Sequence, residues 1–260
     1  MPLPNAIDLQ RELALALRLA DAARPIAMAH FRNPLAIDIK ADHSPVTIAD
    51  RVIEAELRKL IQQDFPSHGI LGEEFGTTRG SDFTWVLDPI DGTKSFISGL
   101  PLFGTLIALL HGEQPVLGII DIPAMSERWL GQRGQPSLFN GAVSRVSACE
   151  RLEDARVLTT SPDMFDAEGW RRFDVLGRRA AFRRYGGDCY LYGLLASGHC
   201  DLVVEMGLQP YDYLAMVTVI EGAGGKISDW RGNTLGLHSK GDVIAAASES
   251  LWRQALDALT

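Results

Sequence analysis

Apolar residues in the first part of the chain recur at helical spacing. Leu13, Leu17 and Ala20 fall on one face of a predicted helix, and Pro25 is expected to kink that helix. Beyond it, apolar and polar residues alternate briefly, as in a short strand, before a polar loop. The elements predicted here are a helix over residues 7–31, a strand at 35–39 and a second helix from Thr47 to about Gln63.

The middle of the chain changes to the pattern of a sheet. Apolar runs separated by turns rich in Gly and Pro predict strands, and a single short helix is expected near Thr93. The strands are predicted at residues 84–87, 103–110 and 116–120.

Strands and helices alternate in the second half, which is typical of βα units. The predicted order is strand 156–159, helix 168–178, strand 182–185, helix 188–197, strand 201–205, helix 212–223, a final strand and a C-terminal helix. We therefore expect two sheet-containing lobes, residues 1–140 and 141–260. No low-complexity linker separates them, and their boundary is expected within residues 135–155.

Composition excludes several classes of protein. Hydrophobic residues make up 46% and charged residues 22% of the 260, which is ordinary globular composition. The net charge of −8 argues against nucleic acid or an anionic membrane as partner. The longest uncharged apolar run, residues 102–110, is far shorter than the roughly 20 residues of a membrane helix, and charges near the N-terminus do not fit an export signal. Cys149, Cys189 and Cys200 have no disulfide or metal-site spacing, so a cytoplasmic location is expected.

The most informative segment runs from Trp85 to Ser95. An apolar strand ends at Asp88, Pro89 turns the chain, and Asp91 is expected to point its carboxylate back to the same place. Two carboxylates at a strand end suit Mg²⁺ or Mn²⁺ better than zinc. Backbone amides of residues 92–95, at the start of a helix, would hold a phosphate facing those ions. The alternative is that Asp91 caps the helix and Asp88 is a solvated turn residue.

Acidic residues elsewhere lie at comparable positions. Glu73 and Glu74 follow a short apolar run, Asp212 opens a predicted helix, and Asp50 follows Thr47 by three residues. Each also has a structural interpretation. Asp212 could interact with the helix dipole, and Asp50 could complete a capping box with Thr47.

Taken together and in this order, these blocks resemble the metal-dependent, lithium-sensitive phosphatase superfamily that includes inositol monophosphatase. The matching blocks are Gly72-Glu73-Glu74, Asp88-Pro89-Ile90-Asp91-Gly92-Thr93, and Asp212 followed by Glu221-Gly222-Ala223-Gly224-Gly225. The resemblance extends from about Lys40 to Asp229. It implies an α+β fold layered as an αβαβα sandwich, of the inositol monophosphatase and fructose-1,6-bisphosphatase type, and commonly a homodimer.

The resemblance also assigns roles to residues. The positions that match the family's magnesium ligands are Glu73, Asp88, the backbone carbonyl of Ile90, Asp91 and Asp212. Thr93 and Asp50 match the pair that activates the attacking water, at the ion that Glu73 holds. The phosphate would lie against Gly92, Thr93 and Lys94, and each site would hold two or three Mg²⁺ ions, with Mn²⁺ as an alternative. Lys40 matches a site lysine whose role stays open.

Within the superfamily, the later motifs are similar to the histidinol-phosphate phosphatase branch. Tyr211 stands where inositol monophosphatases usually carry Trp, and Asp188 stands in a loop that usually carries small residues. Glu205 matches a substrate-contacting glutamate of the family. Two carboxylates beyond the metals suit a cationic leaving group such as histidinol. Inositol monophosphate, a sugar phosphate and a 3′-phosphonucleotide stay open as substrates, and Asp188 could instead cap a helix.

Other hydrolase types fit less well. A phosphatase of the haloacid dehalogenase type needs its two acids two residues apart, whereas Asp88 and Asp91 are three apart. The six histidines lack zinc-site spacing, and a non-catalytic metal or phosphate sensor would not need the Thr93 and Asp50 pair. The sequence therefore predicts a magnesium-dependent phosphomonoesterase of histidine biosynthesis. It would hydrolyse L-histidinol phosphate by a metal-activated water, without a covalent intermediate.

Overall fold

A computed structural model describes residues 8–33, 37–39 and 45–259. The helices in these ranges are α1 (Gln10–His30), α2 (Ile48–Asp64), α3 (Thr93–Ile97), α4 (Ala167–Arg179), α5 (Tyr190–Ala196), α6 (Pro210–Gly222) and α7 (Glu249–Leu259). The strands are β1 (Ile37–Ile39), β2 (Pro45–Thr47), β3 (Gly69–Gly72), β4 (Gly76–Thr78), β5 (Phe83–Asp91), β6 (Gly104–His111), β7 (Gln114–Ile122), β8 (Glu127–Gln132), β9 (Leu138–Phe139), β10 (Ala142–Val143), β11 (Arg156–Thr159), β12 (Phe182–Tyr185), β13 (Leu202–Glu205), β14 (Lys226–Asp229) and β15 (Val243–Ala246).

The larger sheet has eight strands in the order β10-β9-β8-β7-β6-β5-β3-β4. Strands β3 and β5 run parallel, with Gly72 opposite Leu87, and their neighbours β4 and β6 are antiparallel to them. Because β3 and β5 run in the same direction, their carboxyl ends meet at one edge of the sheet. Both acidic motifs of the first half lie here, since Glu73 and Glu74 follow β3 and Asp88 and Asp91 are among the last residues of β5.

The smaller sheet has five strands in the order β12-β11-β13-β15-β14. Strand β11 pairs in parallel with β12 and β13, as alternating βα units require, while β15 is antiparallel to β13 and β14. The sequence predicted one strand after α6, but the structure has two, β14 and β15. The prediction was wrong there because β14 has the sequence Lys-Ile-Ser-Asp, in which a single residue is apolar, so no apolar run marks it as a strand.

Three apolar clusters arrange the elements in layers. One cluster packs α1 and α2 on the outer face of the larger sheet, and another packs α4 and α7 on the outer face of the smaller one. The largest lies between the two sheets, where α5 and α6 contact both. The order is therefore helix, sheet, helix, sheet, helix, which confirms the predicted αβαβα sandwich. The division into lobes 1–140 and 141–260 stays a prediction.

Side-chain alternation along β5 decides which way its acids face. Trp85 and Leu87 pack toward α1 and α2, whereas Val86 belongs to the cluster between the sheets. With a period of two, Asp88 faces the same way as Val86. Its partner on β6, Leu106, belongs to that middle cluster too. Asp88 therefore points toward the layer that contains α6.

A close approach fixes the position of α6 on the larger sheet. A Cβ atom on Gly118 of β7 would lie 2.0 Å from the carbonyl oxygen of Ala215 in α6, so only glycine lets the helix and strand backbones meet. Helix α6 therefore lies directly against the larger sheet, and it contacts β5 as well as β7.

Most predicted elements agree with the structure, and the differences are local. The helix near Thr93 is α3, and the short strands β2, β4, β8, β9 and β10 were not predicted. Pro25 lies inside α1, which continues past it to His30. Leu35, at the start of the predicted first strand, and Lys40 lie outside the described residues. Among the helices of the described ranges, none combines the length and apolarity that a membrane crossing requires.

Candidate active site

Three carboxylates meet at the end of β5. Asp88, Asp91 and Asp212 each offer an oxygen, and these oxygens lie within 4.8 Å of one another. Asp88 and Asp91 come from the irregular end of β5, where the register with β6 shifts between them, and Asp212 comes from the first turn of α6. An arrangement of hard oxygen ligands at this spacing suits a divalent cation such as Mg²⁺.

The fit to a cation rests on one atom in particular. Asp88 is only 2% exposed, and within the described residues its Oδ1 has no hydrogen-bond partner. A buried carboxylate oxygen without a donor is costly, and a bound metal ion would compensate it.

Burial and mutual repulsion disfavour the charged forms of these acids. Burial, together with the charges of Glu73, Asp91 and Asp212, raises the pKa of Asp88 well above its ordinary value. Burial and the neighbouring Asp188 and Asp212 do the same for the pKa of Asp91. Burial raises the pKa of Asp212 to about 7, and the charge of Glu73 adds to this increase. A cation among these groups would favour their ionised forms.

Strand pairing brings Glu73 to the same place. Since Gly72 pairs with Leu87, the next residue on each strand is Glu73 beside Asp88, and the backbone N–H of Glu73 donates to the Leu87 carbonyl over 3.2 Å. The carboxylate of Glu73 is close enough to raise the pKa of Asp50 as well as that of Asp88. The structure thus assembles acids that are 15 residues apart in sequence.

Asp50 does cap its helix, as the alternative interpretation of the sequence had it. Its Oδ2 accepts hydrogen bonds from the backbone N–H of Thr47 at 2.9 Å and from the Thr47 hydroxyl at 2.6 Å, which forms a capping box at the start of α2. Burial raises the pKa of Asp50. The hydroxyl of Thr93 donates to the carbonyl of Ile90 at 3.1 Å. Joint activation of a water by Thr93 and Asp50 stays a prediction.

Asp212 likewise has a structural partner. The backbone N–H of Gln209 donates to its Oδ2 over 2.7 Å, at the N-terminus of α6. The carboxylate therefore caps α6 and contributes to the acidic cluster at the same time.

Gly92 turns the chain from β5 into α3. Its φ of +79° is left-handed, and a Cβ atom there would lie 2.8 Å from the carboxyl carbon of Asp188. The neighbouring Lys94 is exposed. The predicted phosphate site at Gly92, Thr93 and Lys94 stays a prediction.

Asp188 does not cap a helix. It lies before α5, which begins at Tyr190, in a left-handed conformation with φ of +47°. Its Oδ2 accepts a hydrogen bond of 2.6 Å from the hydroxyl of Ser95. Burial raises its pKa, and the Ser95 bond and the charge of Lys94 oppose the increase. A non-glycine residue adopts a left-handed conformation only where its surroundings hold it there. For Asp188, the hydrogen bond from Ser95 of α3 is one such contact.

Glu205, at the end of β13, is held by two donors. Its Oε1 accepts from the backbone N–H of Thr160 at 3.1 Å, and its Oε2 accepts from the hydroxyl of Tyr192 at 2.9 Å. Glu205 is 2% exposed, and burial raises its pKa to about 6 against the opposing effect of these bonds.

Comparison with known proteins now identifies the family. The family model described as "Inositol monophosphatase family" matches residues 8–259. The chain belongs to the inositol monophosphatase family. It is 45% identical over 262 residues to the chloroplastic bifunctional phosphatase IMPL2 of Arabidopsis thaliana, covering 97% of this chain and 76% of that protein. It is 36% identical to a histidinol-phosphatase of Chlorobaculum parvum, covering 95% and 96% of the two chains.

Solved structures of the family have the same fold. An inositol monophosphatase from Zymomonas mobilis superposes with a TM-score of 0.90 at 48% identity, covering 98% of this chain and 99% of that one. The family is metal-dependent, and the acidic cluster of this member is a candidate site for its metal. The predicted family and fold are confirmed.

Several residues that shape the site are not in the sequence prediction. The backbone N–H of Cys189 donates to Oδ2 of Asp91 at 2.6 Å, and Ser95 and Tyr192 hold Asp188 and Glu205. The contribution of Cys189 is a main-chain amide, which every residue type except proline offers, so no side-chain pattern reveals it. Ser95 lies within the recognised motif, and its position there was a signal that could have been used.

Proposed function

We propose that this member of the family hydrolyses L-histidinol phosphate to L-histidinol and phosphate. The observation that supports the proposal is the carboxylate of Asp188, which lies one residue before the amide bound by Asp91. With Glu205 it supplies negative charge beyond the metal-binding cluster. A substrate with an ammonium group and an imidazole can pair with that charge, whereas a neutral polyol cannot. The relatives named histidinol-phosphatase support the same substrate.

The metal would be held by the carboxylates of the cluster. In this proposal the ligands of two or three Mg²⁺ ions, or of Mn²⁺, are Glu73, Asp88, the carbonyl of Ile90, Asp91 and Asp212. The Ile90 oxygen accepts from Thr93 and, as a carbonyl oxygen, retains a second lone pair for an ion. When bound, such ions acidify a coordinated water and stabilise negative charge on phosphate and on the leaving oxygen.

In the proposed mechanism, side chains of the protein orient the attacking water and accept its proton. Thr93 and Asp50 are proposed to orient the water, with Asp50 as the proton acceptor, and its raised pKa suits that role. The amides of Gly92 and Thr93 and the side chain of Lys94 are proposed to bind the phosphate. Because a water attacks directly, no side chain forms a phosphoenzyme.

Location and assembly are part of the same proposal. All three cysteines are free thiols, which supports a reducing compartment such as the cytoplasm. We further propose a homodimer that acts in histidine biosynthesis.

Inositol 1-phosphate is the second candidate substrate. The similarity of this chain to an inositol monophosphatase from Zymomonas mobilis, 48% identical over nearly the whole chain, supports this candidate. Asp188 gives such a polyol no charge to pair with, so we place it second.

A direct comparison of substrates tests the proposal. Phosphate release is measured with Mg²⁺ from L-histidinol phosphate, inositol 1-phosphate, a sugar phosphate and a 3′-phosphonucleotide, each with and without Li⁺. We expect kcat/KM for L-histidinol phosphate to exceed the others by at least about tenfold, equivalent to about 1.4 kcal/mol of transition-state binding. A higher value for inositol 1-phosphate would replace the proposed substrate by the second candidate.

A further inference from the structure

Helix α2 carries a second buried acid one turn after Asp50. Glu54 is 0% exposed, and its carboxylate accepts three hydrogen bonds. The backbone N–H groups of Glu74 and Phe75 donate to Oε2 and Oε1 at 2.7 and 3.1 Å. Nε of Arg58 donates to Oε1 at 2.7 Å. Glu54 therefore binds backbone amides of a segment outside its own helix.

The two amides belong to the turn between β3 and β4, directly after Glu73. On the strand side, Gly72 leaves the space that Glu54 occupies, since a Cβ atom on Gly72 would lie 2.0 Å from Oε1 of Glu54. Glu54 thus contacts the chain on both sides of Glu73.

Arg58 connects Glu54 to β4, the strand that follows this turn. Its guanidinium donates to the carbonyl of Gly76 and, at 3.2 Å, to the hydroxyl of Thr78. The Glu54 and Arg58 side chains are 0% and 11% exposed, so little water competes with these bonds. A buried charge pair with its remaining donors satisfied holds a geometry that neither charge would hold alone.

The direction of the Glu73 side chain depends on this turn. Leu71 packs toward the cluster between the sheets and Gly72 faces α2, so alternation directs Glu73 back toward the middle layer, beside Asp88. Beyond β3 the chain reverses, and the carboxylate of Glu54 accepts hydrogen bonds from the amides of Glu74 and Phe75 within that turn. Glu54 fixes them at the point where the carboxylate of Glu73 must be aimed.

We propose that Glu54 is a positioning residue for Glu73 and thereby sets the affinity of the site for its metal ion. The inference rests on the proposed function, in which Glu73 is a metal ligand. It adds that α2 contributes twice, through Asp50 at the site and through Glu54 behind it.

Metal binding to the substrate-free protein tests the inference without relying on turnover. Free Mn²⁺ is measured by electron paramagnetic resonance for the wild type, Glu54→Gln, Glu73→Gln and the double variant. Glutamine keeps the shape of Glu54 but offers one acceptor oxygen instead of two. We expect Glu54→Gln to weaken Mn²⁺ binding about tenfold in the wild-type background. In the Glu73→Gln background it should weaken binding less than twofold, since Glu54 acts through Glu73.

Amide hydrogen exchange provides a readout that needs no metal. In the metal-free protein, the amides of Glu74 and Phe75 should exchange at least tenfold faster in Glu54→Gln than in the wild type. Glu73→Gln should leave them unchanged. Glu56→Gln is the matched control, because Glu56 lies on the same helix and pairs with Lys59 at the surface. It should alter neither metal binding nor exchange.

The outcomes separate the inference from the proposed function. Wild-type Mn²⁺ affinity in Glu54→Gln, with weakened binding in Glu73→Gln, overturns the inference alone. If Glu54→Gln weakens Mn²⁺ binding equally in both backgrounds, the inference is also overturned, because the effect would then not act through Glu73. Wild-type affinity in Glu73→Gln overturns the metal role of Glu73, and the inference with it. If Glu54→Gln does not fold, Glu54→Asp repeats the comparison, since it keeps the charge beside Arg58 but is too short for the turn.

Discussion

The backbone N–H of Cys189 donates to Oδ2 of Asp91 across 2.6 Å. This bond joins the end of β5, in the larger sheet, to the segment that precedes α5 in the middle layer. The carboxylate of Asp91 thus belongs to the acidic cluster and also holds the loop that carries Asp188. Metal binding and substrate binding share this carboxylate in the proposed site.

Replacing Asp91 by Asn tests its charge without removing its shape. The amide oxygen of Asn can still accept from Cys189, so the fold should persist, while the loss of an anionic ligand should lower turnover by several orders of magnitude. Steady-state rates over a Mg²⁺ titration measure the loss, and near-ultraviolet circular dichroism monitors the fold. Near-normal turnover at saturating Mg²⁺ would rule out a ligand role for Asp91.

Replacing Asp188 by Asn tests the basis of the substrate proposal. Loss of the charge should raise KM for L-histidinol phosphate about tenfold, or roughly 1.4 kcal/mol, and leave KM for inositol 1-phosphate nearly unchanged. Ser95→Ala, which removes the donor to Asp188, should produce a smaller shift in the same direction. Both follow from KM measured for the two substrates side by side.

The control is Asp82→Asn, an exposed acid just before the start of β5, away from the site. It should change KM for neither substrate. Equal loss for both substrates in Asp188→Asn would show that Asp188 shapes the site and does not pair with a cation.

The raised pKa values predict an unusual pH dependence of stability. Asp212 has a pKa of about 7 in the folded chain against an ordinary value of 3.8, so the folded state binds more protons between these values than the unfolded state. The contribution of Asp212 to the free energy of unfolding is therefore present below about pH 4 and is lost as the pH rises through about 7. Asp88 and Asp91 add in the same direction.

Thermal unfolding at pH 5 and pH 8 measures this effect. The metal-free protein should lose stability from pH 5 to pH 8, and Mg²⁺ should raise Tm more at pH 8, where it need not displace protons. Asp212→Asn should flatten the dependence on pH in the metal-free protein. A metal-free protein that is more stable at pH 8, with the same Mg²⁺ effect at both pH values, would contradict the prediction.

Tyr192→Phe tests the environment of Glu205. The Tyr192 hydroxyl stabilises the charged carboxylate, so its removal should move the pKa of Glu205 from about 6 upward by about one unit, the scale of one hydrogen bond to a charged group. The acidic limb of the profile of kcat/KM for L-histidinol phosphate should shift to higher pH accordingly. An unshifted limb, with only a uniform loss of rate, would mean that Glu205 does not need its charge.

The elements were predictable where one pattern dominates. Strands β11 and β12 have the predicted bounds, whereas β8, Glu127–Gln132, is interrupted by Gly131 and by polar residues and was not predicted. Its partner β9 is only two residues long. Strands of this kind form because a neighbour is already in place, and the neighbour is not visible in the local sequence.

The site was predictable in its members but not in its assembly. Asp88 and Asp91 are close in sequence, so their proximity follows from the turn at Pro89. The position of Glu73 beside Asp88 depends on β3 and β5 pairing in parallel, and an antiparallel pair would have placed Glu73 at the far end of β5. Glu54 gave no signal, because a single acid on a helix usually faces solvent.

The capping roles of Asp50 and Asp212 affect which acidic residues a relative without activity would retain. Each is the third residue of its helix and accepts a hydrogen bond from the residue before that helix, so each also stabilises the start of its helix. A descendant that lost its chemistry would keep this structural reason for both acids for as long as it kept α2 and α6. Asp88, whose Oδ1 has no partner within the described chain, would have no such reason to persist. In a relative that has lost its activity, we therefore expect Asp88 to be replaced before Asp50 and Asp212.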